Sequence, residues 1–340
     1  MTASCILYCL SLILCQATVN GAWLLSQAGL NGSSYNVRHL SMHFSRVFLS
    51  ISVENKRFPT LIEAQWPVSY LPMRTIIFPS NEVHANGDHS DCTLLQQAHW
   101  SQVDSLSRLW VMDVGWPGSE CPPKLLVFDL IRNNIELLRI NCGQHIDANN
   151  TQSLVVQMPP KPSSCEVERH IYFILGESSM ILAYDILEQT WHSWRLISHK
   201  YENMNQTFPI QPLDFSFGLH GELLVVDQDG GLYSSGRALS LNDKSNGIAL
   251  NPIQLNPLGS LLGSSRSMLI DYTGSLFYVM PKYGAVVRCS RLSNLTAEGN
   301  EIIYLTSKNI QQIFLGVDGA VWVLSDRVLK PQDICYPGLL

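Results

Sequence analysis

Six short runs of β-branched, aromatic and aliphatic residues recur along the chain, and their rhythm fixes the fold class. They are VFLSI at 47–51, LWVM at 109–112, IYFI at 171–174, LLVV at 223–226, LFYV at 276–279 and VWVL at 321–324. Runs of this length and content read as buried strands. Tight-turn signals precede three of them, at His220-Gly221, Thr273-Gly274 and Asp318-Gly319, where glycine supplies the positive φ a hairpin needs. Measured from the second residue of each run, the intervals are 62, 62, 52, 53 and 45 residues. A four-stranded propeller blade takes about 40–50 residues, so the intervals fit blades with insertions. A further strand follows several of these runs, at 124–130, 180–186, 231–234 and 285–289, as in an antiparallel meander. The expected fold is all-β, a six-bladed β-propeller closed in a ring. Two consecutive β-sandwich domains are the rival arrangement. Closure leaves no sheet edge open to aggregation, and it suits a chain with 46% hydrophobic and only 15% charged residues.

Residues 6–14 are apolar and precede the small-residue stretch Gln16-Ala17-Thr18. The run is too short to span a bilayer, which takes about 20 residues. It has the length of a signal-peptide core, with cleavage expected after Ala17. The expected organisation is therefore a signal peptide over 1–17 and one propeller domain over 18–340, in a secreted, extracellular protein. Six cysteines then remain as disulfide candidates: Cys92, Cys121, Cys142, Cys165, Cys289 and Cys335. Six allow 15 pairings, and the sequence chooses none; the alternative for some of them is a buried thiol. Sequons at Asn31, Asn149, Asn205 and Asn294 lie in polar stretches and are expected to carry glycans.

The net charge is −6 and no basic run occurs. Neither a nucleic-acid nor a membrane partner is expected. Zinc-protease, P-loop and dinucleotide fingerprints are absent. GESSM at 176–180 lacks the closing glycine of a nucleophile elbow. His84, His89 and His99 fall near Asp88, Asp91 and Cys92, but loop histidines are more often solvated or capping than ligands. DQDG at 227–230 opens like a calcium loop without its later ligands and reads as a β-turn. No metal, no cofactor and no catalytic residue is assigned. Asp113, Asp227 and Asp326 end runs that could be inner strands, so their carboxylates could face a channel or simply bind turn amides.

Particular residues carry a family resemblance. LWVMDVG at 109–115 followed by CPPKLLVFDL at 121–130 closely resembles the signature of the yellow / major royal jelly protein family of insects. KRFPT at 56–60, AYD at 183–185 with WHSW at 191–194, the stretch 267–289, and AVWVLSDR at 320–327 resemble further family segments. The resemblance covers about 35–335 and implies a secreted six-bladed propeller. Family members act in cuticle pigmentation, in food jelly and in saliva as binders of biogenic amines, and some convert dopachrome. The resemblance thus implies a protein that binds a small aromatic amine or catechol at its channel, with Asp113 and Asp326 as candidate anionic groups. The alternatives are a dopachrome-converting tautomerase of melanin synthesis and a structural or storage protein without ligand. Three departures stand out. Leu106 occupies a position where the family usually has cysteine, Asp326 one where asparagine is usual, and 203–257 matches only loosely.

Overall fold

The computed structural model describes residues 25–30, 35–53, 57–66, 74–87, 90–116, 118–159, 168–176, 178–199, 207–239, 252–292, 295–316, 319–325 and 328–331. The signal-peptide segment, Asn31, Asn205, Asn294, Cys165, Cys335, Asp88, His89 and Asp326 lie outside them.

The strands run in consecutive antiparallel meanders. Blade 1 is β1 (Tyr35–His43), β2 (Arg46–Val53), β3 (Leu61–Gln65) and β4 (Thr75–Ile77). Blade 2 is β5 (Ala98–Val103), β6 (Arg108–Asp113), β7 (Lys124–Asp129) and β8 (Ile135–Asn141). Blade 3 is β9 (Val155–Gln157), β10 (His170–Ile174), β11 (Met180–Asp185) and β12 (Thr190–His199), with the short β13 (Thr207–Pro209) beside β12. Blade 4 is β14 (Pro212–Phe217), β15 (Glu222–Asp227), β16 (Gly231–Ala238) and β17 (Ile253–Ser260). Blade 5 is β18 (Arg266–Ile270), β19 (Leu276–Met280), β20 (Ala285–Cys289) and β21 (Asn300–Leu305). Blade 6 shows β22 (Ile310–Leu315), β23 (Val321–Ser325) and β24 (Val328–Pro331) among the described residues. Blades 3 and 4 share one sheet, because β12 and β17 pair in parallel over Leu196–Ser198 and Ile253–Leu255.

The six apolar runs are the second strands, β2, β6, β10, β15, β19 and β23. A second strand is paired on both edges and packed on both faces, so its middle is mostly apolar; Leu109, Trp110, Val111 and Met112 are all fully buried. This corrects the expected placement of Asp113 and Asp227, which end second strands, not inner ones. Turns of similar chemistry precede two of these strands. Asp104 Oδ1 accepts the N–H groups of Leu106 and Arg108, and Asp271 Oδ1 accepts those of Thr273 and Ser275. Gly274 closes the second turn at φ 81°, where a side chain would be strained.

Six apolar clusters occupy the six blade boundaries. The one between blades 6 and 1 joins Val37, Leu40 and Leu49 to Phe314, Trp322 and Leu324, and takes in Leu25, Ala28 and Leu30 from the N-terminal side. There Trp66 meets Trp322 edge-to-face at 4.8 Å. The chain is a closed ring of six blades.

Candidate functional site: the central channel

The first strand of each blade leaves one edge toward the ring axis, and the six together enclose a cavity of about 1260 Å³. Side chains bridge every junction between neighbouring inner strands. Ser41 meets Ser101 at 2.8 Å, Oγ to Oγ. The Gln102 carboxamide holds the Met158 backbone, donating to its carbonyl and accepting its N–H, both at 3.2 Å. Gln157 donates to the Phe215 carbonyl, and Asp214 accepts the Met268 N–H at 3.1 Å. Ser267 accepts the Ile313 N–H at 2.9 Å. Gln312 closes the circle on Leu40, accepting its N–H at 2.7 Å and donating to its carbonyl at 3.1 Å.

The inner strands also share an irregularity. Pairing with the second strand slips at Val37/His39, Ala98/Trp100, Pro212/Asp214, Arg266/Leu269 and Ile310/Gln312. Such bulges re-aim a side chain, and here they set Arg38, His99, Leu213 and Gln311 on the cavity wall.

The wall carries a few charged side chains, Arg38, Arg266, Lys282 and Asp214, among hydrogen-bonded neutral ones. His39 is pushed down to about 3, by burial first and then by His99. Both of its ring nitrogens lie near N–H groups, Ser101 N at 3.4 Å and Gln312 Nε2 at 3.2 Å; the neutral ring accepts from one of them, and neither side offers an acceptor to an added proton. His99 is pushed down to about 4, chiefly by burial. Its Nε2 lies 3.1 Å from the Leu154 carbonyl, which assigns the proton there and leaves the buried Nδ1 lone pair without a partner. Asp214, only 2% exposed, is raised to about 7, because burial outweighs the Phe215 and Met268 amides it accepts and the nearby Arg266.

The candidates named from sequence fall elsewhere. Asp113 is fully buried away from the cavity lining. Its carboxylate accepts the N–H groups of Gln96, Gln97 and Gly115 at 2.8, 2.8 and 3.0 Å and pairs with Lys124 at 3.0 Å. Lys124 Nζ also donates to the carbonyls of Cys92 and Leu94, at 3.0 and 2.7 Å, so all three of its N–H bonds are used. Cys121 is disulfide-bonded to Cys92. The conspicuous Asp113…Cys121-Pro-Pro-Lys124 signature is thus a staple that fastens the segment leading into β5. Asp227 likewise binds its own turn, accepting from Asp229 N, Gly231 N and the Tyr233 hydroxyl.

Two further disulfide candidates are corrected: Cys142 and Cys289 are buried free thiols, and burial pushes the Cys142 thiol up to about 12. Asn149 is exposed in a short 3-10 turn, Ala148–Ser153. His84 is buried, with Nε2 2.9 Å from the Phe78 carbonyl, and no cluster of metal-ligating residues occurs among the described residues. No helix there is long and apolar enough to cross a membrane.

The fold and site define a class: a six-bladed β-propeller with a polar axial cavity. Residues 97–245, from β5 to beyond β16, match the family described as Major royal jelly protein. Major royal jelly protein 8 of Apis mellifera is 26% identical over 264 residues, covering 72% of this chain and 55% of that protein. Dopaminechrome tautomerase of Drosophila melanogaster is 29% identical over 86 residues, 23% of this chain and 18% of that enzyme. The chain therefore spans about half of the first relative and a fifth of the second. A solved Bacteroides thetaiotaomicron protein of unknown function superposes with a TM-score of 0.50 at 12% identity, covering 89% of this chain and 70% of that one, a likeness of fold alone. The family match and the two relatives support a protein similar to the yellow / major royal jelly family over this stretch.

Proposed function

We propose that this protein works outside the cell and holds a small aromatic molecule of the catechol class in its axial channel, in pigment or cuticle chemistry. The observation that carries the reading is the channel itself. Its volume exceeds the several hundred Å³ that small-ligand sites occupy. Its wall offers the Trp100 ring, the carboxamides of Gln102, Gln157 and Gln312, and two imidazoles kept neutral. Uncharged donors and acceptors suit vicinal hydroxyls. An ammonium group is served less well, because Asp214, the one carboxylate of the lining among the described residues, is committed to backbone amides. The Cys92–Cys121 disulfide supports an oxidising, extracellular setting.

A second reading rests on His99. The ring lines the cavity, and its unprotonated Nδ1, buried in this structure, would have to turn toward the channel to take a proton from a ring carbon of an aminochrome while a ring oxygen gains one. That step is a tautomerisation and needs no oxidant, and one relative is named for it. Calorimetric titration with catechol and dopamine, alongside dopaminechrome decay with and without protein, separates the readings. Saturable catechol binding without faster decay supports the binder. Faster decay that His99→Gln abolishes supports the enzyme. Neither response leaves a structural or storage protein.

A further inference from the structure

A register of equivalent positions runs round the channel. In each blade one inner-strand backbone is reached by the preceding blade: Leu40, Ser101, Met158, Phe215, Met268 and Ile313. The residues two positions earlier are Arg38, His99, Val156, Leu213, Arg266 and Gln311, and all six line the cavity. Four of them are the bulged residue itself. These six positions correspond in the repeat, and their side chains share the cavity lining.

The charges of that lining oppose the chain's own. The protein carries −6, yet the charged residues of the described lining are Arg38, Arg266 and Lys282 against Asp214 alone. Arg38 has no hydrogen bond or ion pair among the described residues, and burial lowers its pKa. Arg266 starts blade 5 and Arg38 lies in blade 1, so blade 6, with Gln311, stands between them. A partly desolvated guanidinium without a counter-ion is costly, and its planar fork matches a carboxylate. Asp214 offsets Arg266 incompletely, since its carboxyl favours the protonated form up to about pH 7.

We infer that this lining is an anion site, in which Arg38 and Arg266 take the carboxylate of a small aromatic acid. The inference rests on the channel being a ligand site and names the class of ligand it selects. It does not depend on which ring hydroxyls the ligand carries.

Calorimetric titration with 3,4-dihydroxybenzoate, benzoate and catechol tests it, on the wild type, Arg38→Gln and Arg266→Gln, with circular dichroism confirming the fold of each variant. The acid should bind at least about tenfold more tightly than catechol, the worth of one charge-assisted hydrogen bond. Added salt and either substitution should shrink that gap, while Arg38→Lys should keep part of it. Equal binding of acid and catechol, or a gap unchanged in both Gln variants, overturns the anion site and leaves the catechol reading standing. Binding of the acids alone, lost in Arg38→Gln, upholds the anion site and overturns the catechol reading. Silence with all three ligands overturns both.

Discussion

Gln312 and Leu40 are 272 residues apart, and their contact is where the two ends of the ring are joined: one carboxamide satisfies both backbone groups of Leu40. Replacing Gln312 by leucine removes two hydrogen bonds and strands a buried peptide unit, at a cost of about 2 kcal/mol. The same device at Gln102 joins blades that the chain already connects. Urea denaturation should therefore show a larger loss for Gln312→Leu than for Gln102→Leu. Equal losses would mean that the closing junction is no weaker than the others.

Asp113 anchors a segment and does not line the channel. Asp113→Ala leaves the buried Lys124 ammonium without its counter-ion, and breaking such a pair costs about 3–5 kcal/mol. Thermal denaturation should register that loss. Channel ligands, titrated at a temperature where the variant is folded, should bind as they do to the wild type. A selective loss of binding with stability intact would return Asp113 to the site.

Acidification should weaken the fold through the channel histidines. His39 and His99 are held neutral, at about 3 and about 4 against an ordinary 6.5. The unfolded chain takes up these protons first, so their contribution is present above pH 6.5 and is lost as pH falls from there toward about 4. Asp214 works in the opposite sense: raised to about 7, it contributes below its unfolded value and loses that contribution as pH rises to 7. Urea denaturation at several pH values should show the His39→Gln/His99→Gln double variant losing less stability than the wild type between pH 6.5 and about 4.5. An identical slope would contradict this account.

Cys142 and Cys289 should resist alkylation in the native protein and react once it is unfolded, since both are buried and the thiolate of Cys142 is strongly disfavoured. Peptide mapping without reduction should recover Cys92 linked to Cys121. Rapid native labelling of Cys142 would contradict the burial seen here.

What the sequence reveals follows from which strands are buried on both faces. VFLSI, LWVM and their four counterparts stand out because a second strand is buried on both faces, and six of them are enough to count the blades. The strands that build the site leave no such trace. Leu213 and Asp214, or Arg38 and His39, mix polarity because they face a blade on one side and the channel on the other. Their bulges also break the period-two alternation. Asp113 looked functional because it closes an apolar run, yet a strand-end carboxylate also suits turn amides, and that is how it is used. Pairing each apolar run with the strand just upstream of its turn, as Gly221 and Gly274 invite, would have exposed the inner strands.

On the proposed function, the channel is the ligand site. Leu213 lines it beside the Asp214 bridge but makes no side-chain hydrogen bond itself, and Leu213→Trp adds bulk there. Calorimetric titration with catechol should give one saturable site in the wild type and none in Leu213→Trp, with both proteins folded by circular dichroism. Undiminished binding to the plugged variant would contradict the claim.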